Sequence, residues 1–119
     1  MYTQDRSALG RVGEDAALAA YEARGFHLVV RNWRCGLGEL DLVLHRRGLL
    51  VFCEVKTRAG SAFGGAFDAV TRQKRAKLRR LAEAFLLSQH PPHSDVRFDV
   101  ASVHVRDREI AVQLFEDAF

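Results

Sequence analysis

From Glu39 to Thr57 the chain reads "ELDLVLHRRGLLVFCEVKT", two apolar, β-branched runs with little more than Arg47 and Gly48 between them. This feature constrains the fold most, because strand-like runs joined so tightly have to lie side by side as an antiparallel hairpin. Residues two apart share a face of a strand, which predicts Glu39, Asp41, Val43 and His45 on one side of the first run and Leu40, Leu42 and Leu44 on the other. On the second run Glu54 and Lys56 fall together, opposite Val51, Cys53 and Val55. With Arg47 and Gly48 as a two-residue turn, Arg46 faces Leu49, Asp41 faces Glu54 and Glu39 faces Lys56. The two central carboxylates then have Cβ atoms about 5 Å apart. A four-residue loop from His45 to Gly48 shifts the pairing but keeps these groups on one face. A three-residue loop separates them unless a bulge restores the alternation.

Carboxylates that face each other across strands repel, so something has to offset them. A divalent cation does this economically, since one or two carboxylates completed by water and substrate phosphate are what Mg²⁺ takes. Lys56 on the same face is placed to hold or activate a water and to balance charge as a phosphodiester is attacked. The competing account is a solvated ion-pair face with Lys56 between Glu39 and Glu54, which contributes little to stability.

The rest of the chain supplies helices for this hairpin. Ala8 to Arg24 is Ala-rich and helix-favouring, with Gly25 where a C-terminal cap stands. Phe26 to Trp33 reads as a strand, so three strands form a meander. "RAGSAFGGAFDAV", Arg58 to Val70, lacks a period and reads as an exposed loop. Thr71 caps a second helix to about Gln89, with Leu78, Leu81, Ala82, Phe85 and Leu86 as its inward stripe. "RFDVASVHV" and "EIAVQLF", around "RDR", close the chain as two strands. The expectation is an α/β fold, a mixed sheet of about five strands flanked by helices, in one domain over residues 1–119.

Composition excludes several classes. With 48% hydrophobic and 28% charged residues the 119-residue chain is neither disordered nor fibrous. No apolar run approaches the roughly 20 residues of a membrane span. "MYTQDRSALGRVGED" has neither a basic n-region nor an apolar h-region, so no secretion signal is read and a cytoplasmic location is expected. The two cysteines, Cys35 and Cys53, form no zinc-like spacing, and Cys53 reads as a small buried hydrophobe. The net charge of +3 is modest, but Arg72, Lys74, Arg75, Lys77, Arg79 and Arg80 crowd the start of the second helix without an acid. Such a patch suits phosphate. Arg58, just beyond the Glu54 strand, is a further candidate phosphate contact. Asp99 is expected to pair with Arg97 or a neighbour, and Trp33 and Phe98 to join the core.

"GELDLV" followed at hairpin distance by "VFCEVKTR" resembles the PD-(D/E)XK nuclease core, in which an Asp and a D/E-x-K triplet lie on neighbouring strands. More closely, the chain is similar to the YraN family of small bacterial proteins, described as predicted endonucleases akin to archaeal Holliday junction resolvases. The matching segments are "GRVGEDAA", "RNWRCGLGELDLV", "VFCEVKTR", the basic helix and "RFDVASV". The resemblance implies a restriction-endonuclease-like fold and Mg²⁺ or Mn²⁺ as cofactor. It implies that Asp41 and Glu54 bind the metal with the backbone carbonyl of Val55, that Lys56 positions the attacking water, and that Glu14 adds an acid from the first helix. It further implies DNA, branched or otherwise structured, as substrate. A homodimer fits symmetric cutting of two strands, and a repair-protein partner fits the alternative of a DNA-binding adaptor with an idle nuclease site.

Overall fold

A computed structural model describes residues 2–60 and 70–119, with side chains from residue 8 onward. Most of the loop expected after Arg58 lies outside the described residues. Helix α1 (Tyr2–Glu22) leads into strands β1 (His27–Cys35), β2 (Gly38–Arg46) and β3 (Leu49–Ala59), helix α2 (Arg72–Gln89), and strands β4 (Asp95–Arg106) and β5 (Glu109–Phe115). The five strands form one sheet in chain order. All neighbours are antiparallel except β3 and β4, which run parallel from Leu49↔Asp95 to Ala59↔Val105. A parallel pair needs a long crossover, and the segment carrying α2 supplies it. This is the expected α/β class.

The element ends follow local chemistry. At the end of α1 the Phe26 N–H bonds Tyr21 O and the Gly25 N–H bonds Glu22 O, the paired bonds of a Schellman cap, and Gly25 supplies its positive φ of 86°. Thr71 Oγ1 accepts from the Lys74 N–H and starts α2, as its residue type predicts. The β2–β3 turn has both Arg47 (φ 48°) and Gly48 (φ 82°) in the left-handed region, the geometry that matches strand twist. Arg46 therefore faces Leu49, as expected.

The helices cover opposite faces. Ala17 and Tyr21 of α1 pack with Leu42, Leu44, Val51, Cys53, Ala101 and Val103. Leu78, Leu81, Ala82 and Phe85 of α2 pack with Leu40, Val43, Leu50, Phe52 and Val100. Trp33 and Phe98 border this second core, Trp33 edge-on to Phe85 at 5.2 Å. Cys53 is a buried small residue.

One expectation fails in an informative place. Strict alternation puts Leu40 on the face of Leu42 and Leu44, yet Leu40 lies under α2 with Val43 while Leu42 and Leu44 lie under α1. The cause lies in the β1–β2 hairpin, at a point where the register itself does not change; its one register shift falls earlier, between Leu28 and Val30. Arg31 pairs with Leu42 and Trp33 with Leu40, but Asn32 between them has a left-handed φ of 55°. Val30 and Trp33 accordingly both meet the α2 core. Asp41, across from Asn32, is where the alternation changes phase. There the regular β2–β3 pairing also ends, at Leu42↔Cys53.

Candidate active site

Where β2 leaves β3, Asp41 turns into the gap and its Oδ2 accepts the Val55 N–H at 2.8 Å. A side chain has taken over a backbone ladder bond. The N–H and C=O of one strand residue point to the same side, so the Val55 carbonyl is directed to this gap as well. Glu54 lies on the α2 side of β3 with only 7% of its side chain exposed. Its Oε2 receives Lys56 Nζ at 3.5 Å and Lys74 Nζ, from the first turn of α2, at 2.7 Å. The Glu54–Lys56 pair of the ion-pair account is present, but Glu54 is buried rather than solvated. The expected Glu39–Lys56 partnership is absent: the kink carries Glu39 to its β1 partner Arg34, whose Nε donates at 2.7 Å.

The carboxylates share a cleft of about 220 Å³ bordered by Glu39, Lys74, Lys77 and Leu81. A second, much smaller hollow beside it, also bordered by Asp41 and Glu54, has the apolar side chains Leu40, Phe52 and Leu78 in its wall. Burial there, then the charge of Glu54, push the Asp41 carboxyl up to about 8, against the opposing bond from Val55. Lys56 lies below its ordinary value, through burial first and then the adjacent Lys74 ammonium. Burial opposes the charge of Lys74 most strongly, but its bond to Glu54 together with the charges of Glu54 and Asp41 and the contact with Lys56 raises it. Size alone does not mark the site. A larger hollow of about 360 Å³ between Arg24, His27, Arg46 and Arg47 contains no acid.

Glu14 approaches the same gap from α1, and its charge contributes to the shift at Asp41. Its Oε1 accepts Arg31 Nε and Asn32 Nδ2, each at 3.2 Å. Arg31 also donates to Asp15 Oδ1 at 2.6 Å and to Arg11 O at 3.3 Å. The left-handed turn at Asn32 thus both shifts the strand phase and aims an amide at Glu14. Gly13 fixes the approach of the helix: a Cβ there would collide with Thr57 Oγ1 and lie 2.8 Å from Thr57 Cβ. Sequence spacing did not reveal this clamp. Asn in an "RNW" run of strand type was its available sign, since Asn tolerates positive φ better than most residues.

The six cations of α2 are dispersed. Lys74 enters the carboxylate site and Lys77 lines its mouth. Arg75 donates to Val70 O at 3.1 Å, and the Arg79 guanidinium sits 5.0 Å from the Phe98 ring centre. Arg72 and Arg80 are exposed. Arg58 stands half-buried on β3, paired in register with His104 of β4.

Among the described residues no three His, Cys, Asp or Glu side chains gather closely enough to hold a metal ion by themselves. Two hard carboxylates and an adjacent carbonyl are nevertheless a suitable set for an ion that keeps several waters. The raised Asp41 carboxyl reflects burial and repulsion from Glu54, which a cation between the two acids would relieve. The donors fit a Mg²⁺-like ion.

The model of a family described as "Uncharacterised protein family UPF0102" matches residues 13–103, from the helix glycine at Thr57 through the Glu14 clamp, both carboxylate strands and most of β4. The chain belongs to the UPF0102 family. This is the YraN family that the motifs resemble. A UPF0102 protein of Parafrankia sp. (strain EAN1pec) is 46% identical over 106 residues, covering 89% of each chain. One from Frankia alni is 50% identical over 103 residues, 87% of this chain and 86% of its own. One from Mycolicibacterium smegmatis is 44% identical over 115 residues, 92% and 93%. Separately, no helix among the described residues is long and apolar enough to cross a membrane.

Proposed function

We propose that the protein is a metal-dependent endonuclease that hydrolyses phosphodiester bonds of DNA, with branched or otherwise structured DNA as the substrate. The observation carrying this reading is the convergence of Asp41 and Glu54 in one cleft, with the Lys56 ammonium on Glu54. Asp41, Glu54 and the Val55 carbonyl would hold Mg²⁺ or Mn²⁺, which supplies positive charge to the phosphate under attack. Lys56 holds the attacking water at its ammonium and is itself held by Glu54. Glu14, oriented by Arg31 and Asn32, adds negative charge beside Asp41. Arg58 and the α2 cations, Arg72, Lys74, Arg75, Lys77 and Arg79, contact backbone phosphates, and a two-fold dimer pairs two such sites for symmetric cutting.

A second reading draws support from Glu54 being already neutralised by two lysines. On that reading the protein is a DNA-binding adaptor with an idle site, acting with a repair protein. Labelled junction, flap, single-stranded and linear duplex DNA, incubated with Mg²⁺, Mn²⁺ or EDTA, separates the two. The nuclease cuts one of these only with metal, and Asp41→Asn and Lys56→Ala each lower the rate by about a thousandfold or more, with DNA binding retained. Binding without cutting by any form supports the adaptor.

A further inference from the structure

Lys74 has a different position from the other cations of α2. Its ammonium lies 2.7 Å from Oε2 of Glu54, closer than Lys56 at 3.5 Å, and that carboxylate is only 7% exposed. The Lys74 side chain is itself 39% exposed. One end of this ion pair is fixed in the site and the other borders solvent. The backbone of Lys74 is pinned by the Thr71 cap, but a lysine stem of four carbons lets the ammonium swing while its Cα stays in place.

Charge balance gives the pair a consequence. Lys56 and Lys74 both sit on Glu54 Oε2, so that carboxylate is already matched before any ion enters. A divalent cation entering the cleft meets two ammoniums and has to share Glu54 Oε2 with both. Moving Lys74 outward relieves this repulsion, and an anionic strand lying over the cleft mouth offers the ammonium a new partner.

Building on the proposed nuclease activity, we infer that Lys74 is a resident counter-ion of Glu54, which a divalent cation has to displace and which then lands on a phosphate of the bound strand. Metal and nucleic acid therefore strengthen each other's binding, and by linkage the two effects are equal in size. Metal without DNA is held weakly, and the complete site forms only on substrate. Lys74 makes this coupling; Arg72 and Arg80, elsewhere on the helix, add only general attraction to phosphate.

The test is Mn²⁺ titration followed by the magnetic resonance signal of the free ion, with and without a cleavage-resistant phosphorothioate duplex. Wild type is compared with Lys74→Met, Lys74→Gln and Lys74→Arg, each verified as folded by circular dichroism. Without DNA, Lys74→Met and Lys74→Gln bind Mn²⁺ about tenfold more tightly than wild type, the scale of one lost charge-assisted competitor. The duplex tightens Mn²⁺ binding to wild type and to Lys74→Arg by about tenfold and has little effect on the two neutral variants. Equal Mn²⁺ affinity in wild type and both neutral variants, or equal response to the duplex, overturns the counter-ion role and leaves the nuclease proposal standing. Folded protein that binds no Mn²⁺ in any form, with or without DNA, overturns both.

Discussion

Asp41 on β2 and Asp99 on β4 flank the same central strand, β3, and the protein treats them in opposite ways. Asp99 is fully buried and fully bonded. It accepts two bonds from Arg97 at 2.9 Å, the Tyr21 hydroxyl at 2.7 Å and the Asp117 N–H at 3.0 Å. Burial, with Cys53 and Asp99 adding to it, holds the Tyr21 hydroxyl well above its ordinary value and keeps it a donor. Asp41 has one backbone donor and a second carboxylate beside it. A buried charge surrounded by donors serves architecture, joining α1, β4 and the C-terminal turn. One left facing a like charge is poised for a ligand.

Breaking the Asp99 side of this comparison has the largest expected effect. Asp99→Ala takes both short bonds from Arg97, leaving it only Glu116 at 3.5 Å, and removes the acceptor of the Tyr21 hydroxyl; it should cost about 3 kcal/mol of stability, read from urea unfolding with EDTA present. A loss under about 1 kcal/mol would show that Asp99 is not the structural counterpart described.

Helix α1 serves both carboxylates, through Tyr21 and through Glu14, and it touches β3 closely at Gly13. Gly13→Ala should destabilise by about 1–3 kcal/mol through overpacking against Thr57, although Ala is the better helix former. Introducing Thr57→Gly into that variant should recover part of the loss, and simple additivity of the two changes would sever this link between helix and strand.

At Asp41 itself the expected change is a dependence of stability on pH. Its folded-state value of about 8 lies above the ordinary 3.8, so the folded protein retains a proton that the unfolded chain releases between those values. Stability from this group is complete below about pH 4 and is lost as the pH rises to about 8. In EDTA, Asp41→Asn should therefore gain stability relative to wild type over that interval and show a flatter pH profile. Parallel unfolding curves from pH 4 to 9 would sharpen or break the contrast with Asp99, whose variant loses stability where this one gains it.

The hairpin register was legible because the turn residues and the two-residue period agree, so Asp41 and Glu54 were brought together on paper by counting. The second helix was equally plain, with Thr71 at its start and Leu78, Leu81, Ala82 and Phe85 recurring inward. The parallel order of β3 and β4 was not legible, since strand patterns do not encode which neighbour a crossover selects. Nor was the phase change at Asn32, a single backbone torsion that moves Leu40 across the sheet and sends Glu39 to Arg34. Lys74 looked like one cation among six because a helix that buries one stripe leaves both flanks polar. Its neighbour, Glu54, is distant in sequence.

The turn at Arg47 and Gly48 also acts as a gauge. Asp41 lies as far before Arg46 as Glu54 lies beyond Leu49, so both acids stand one step past the last register pair, Leu42↔Cys53. Lengthening or trimming one arm by a single residue would leave a hairpin but shift one acid past the other. Matched changes in both arms would keep them together. Insertions and deletions in this hairpin are therefore tolerable in pairs, and a chain drifting over generations can alter how far the turn projects more freely than it can alter the balance between its arms.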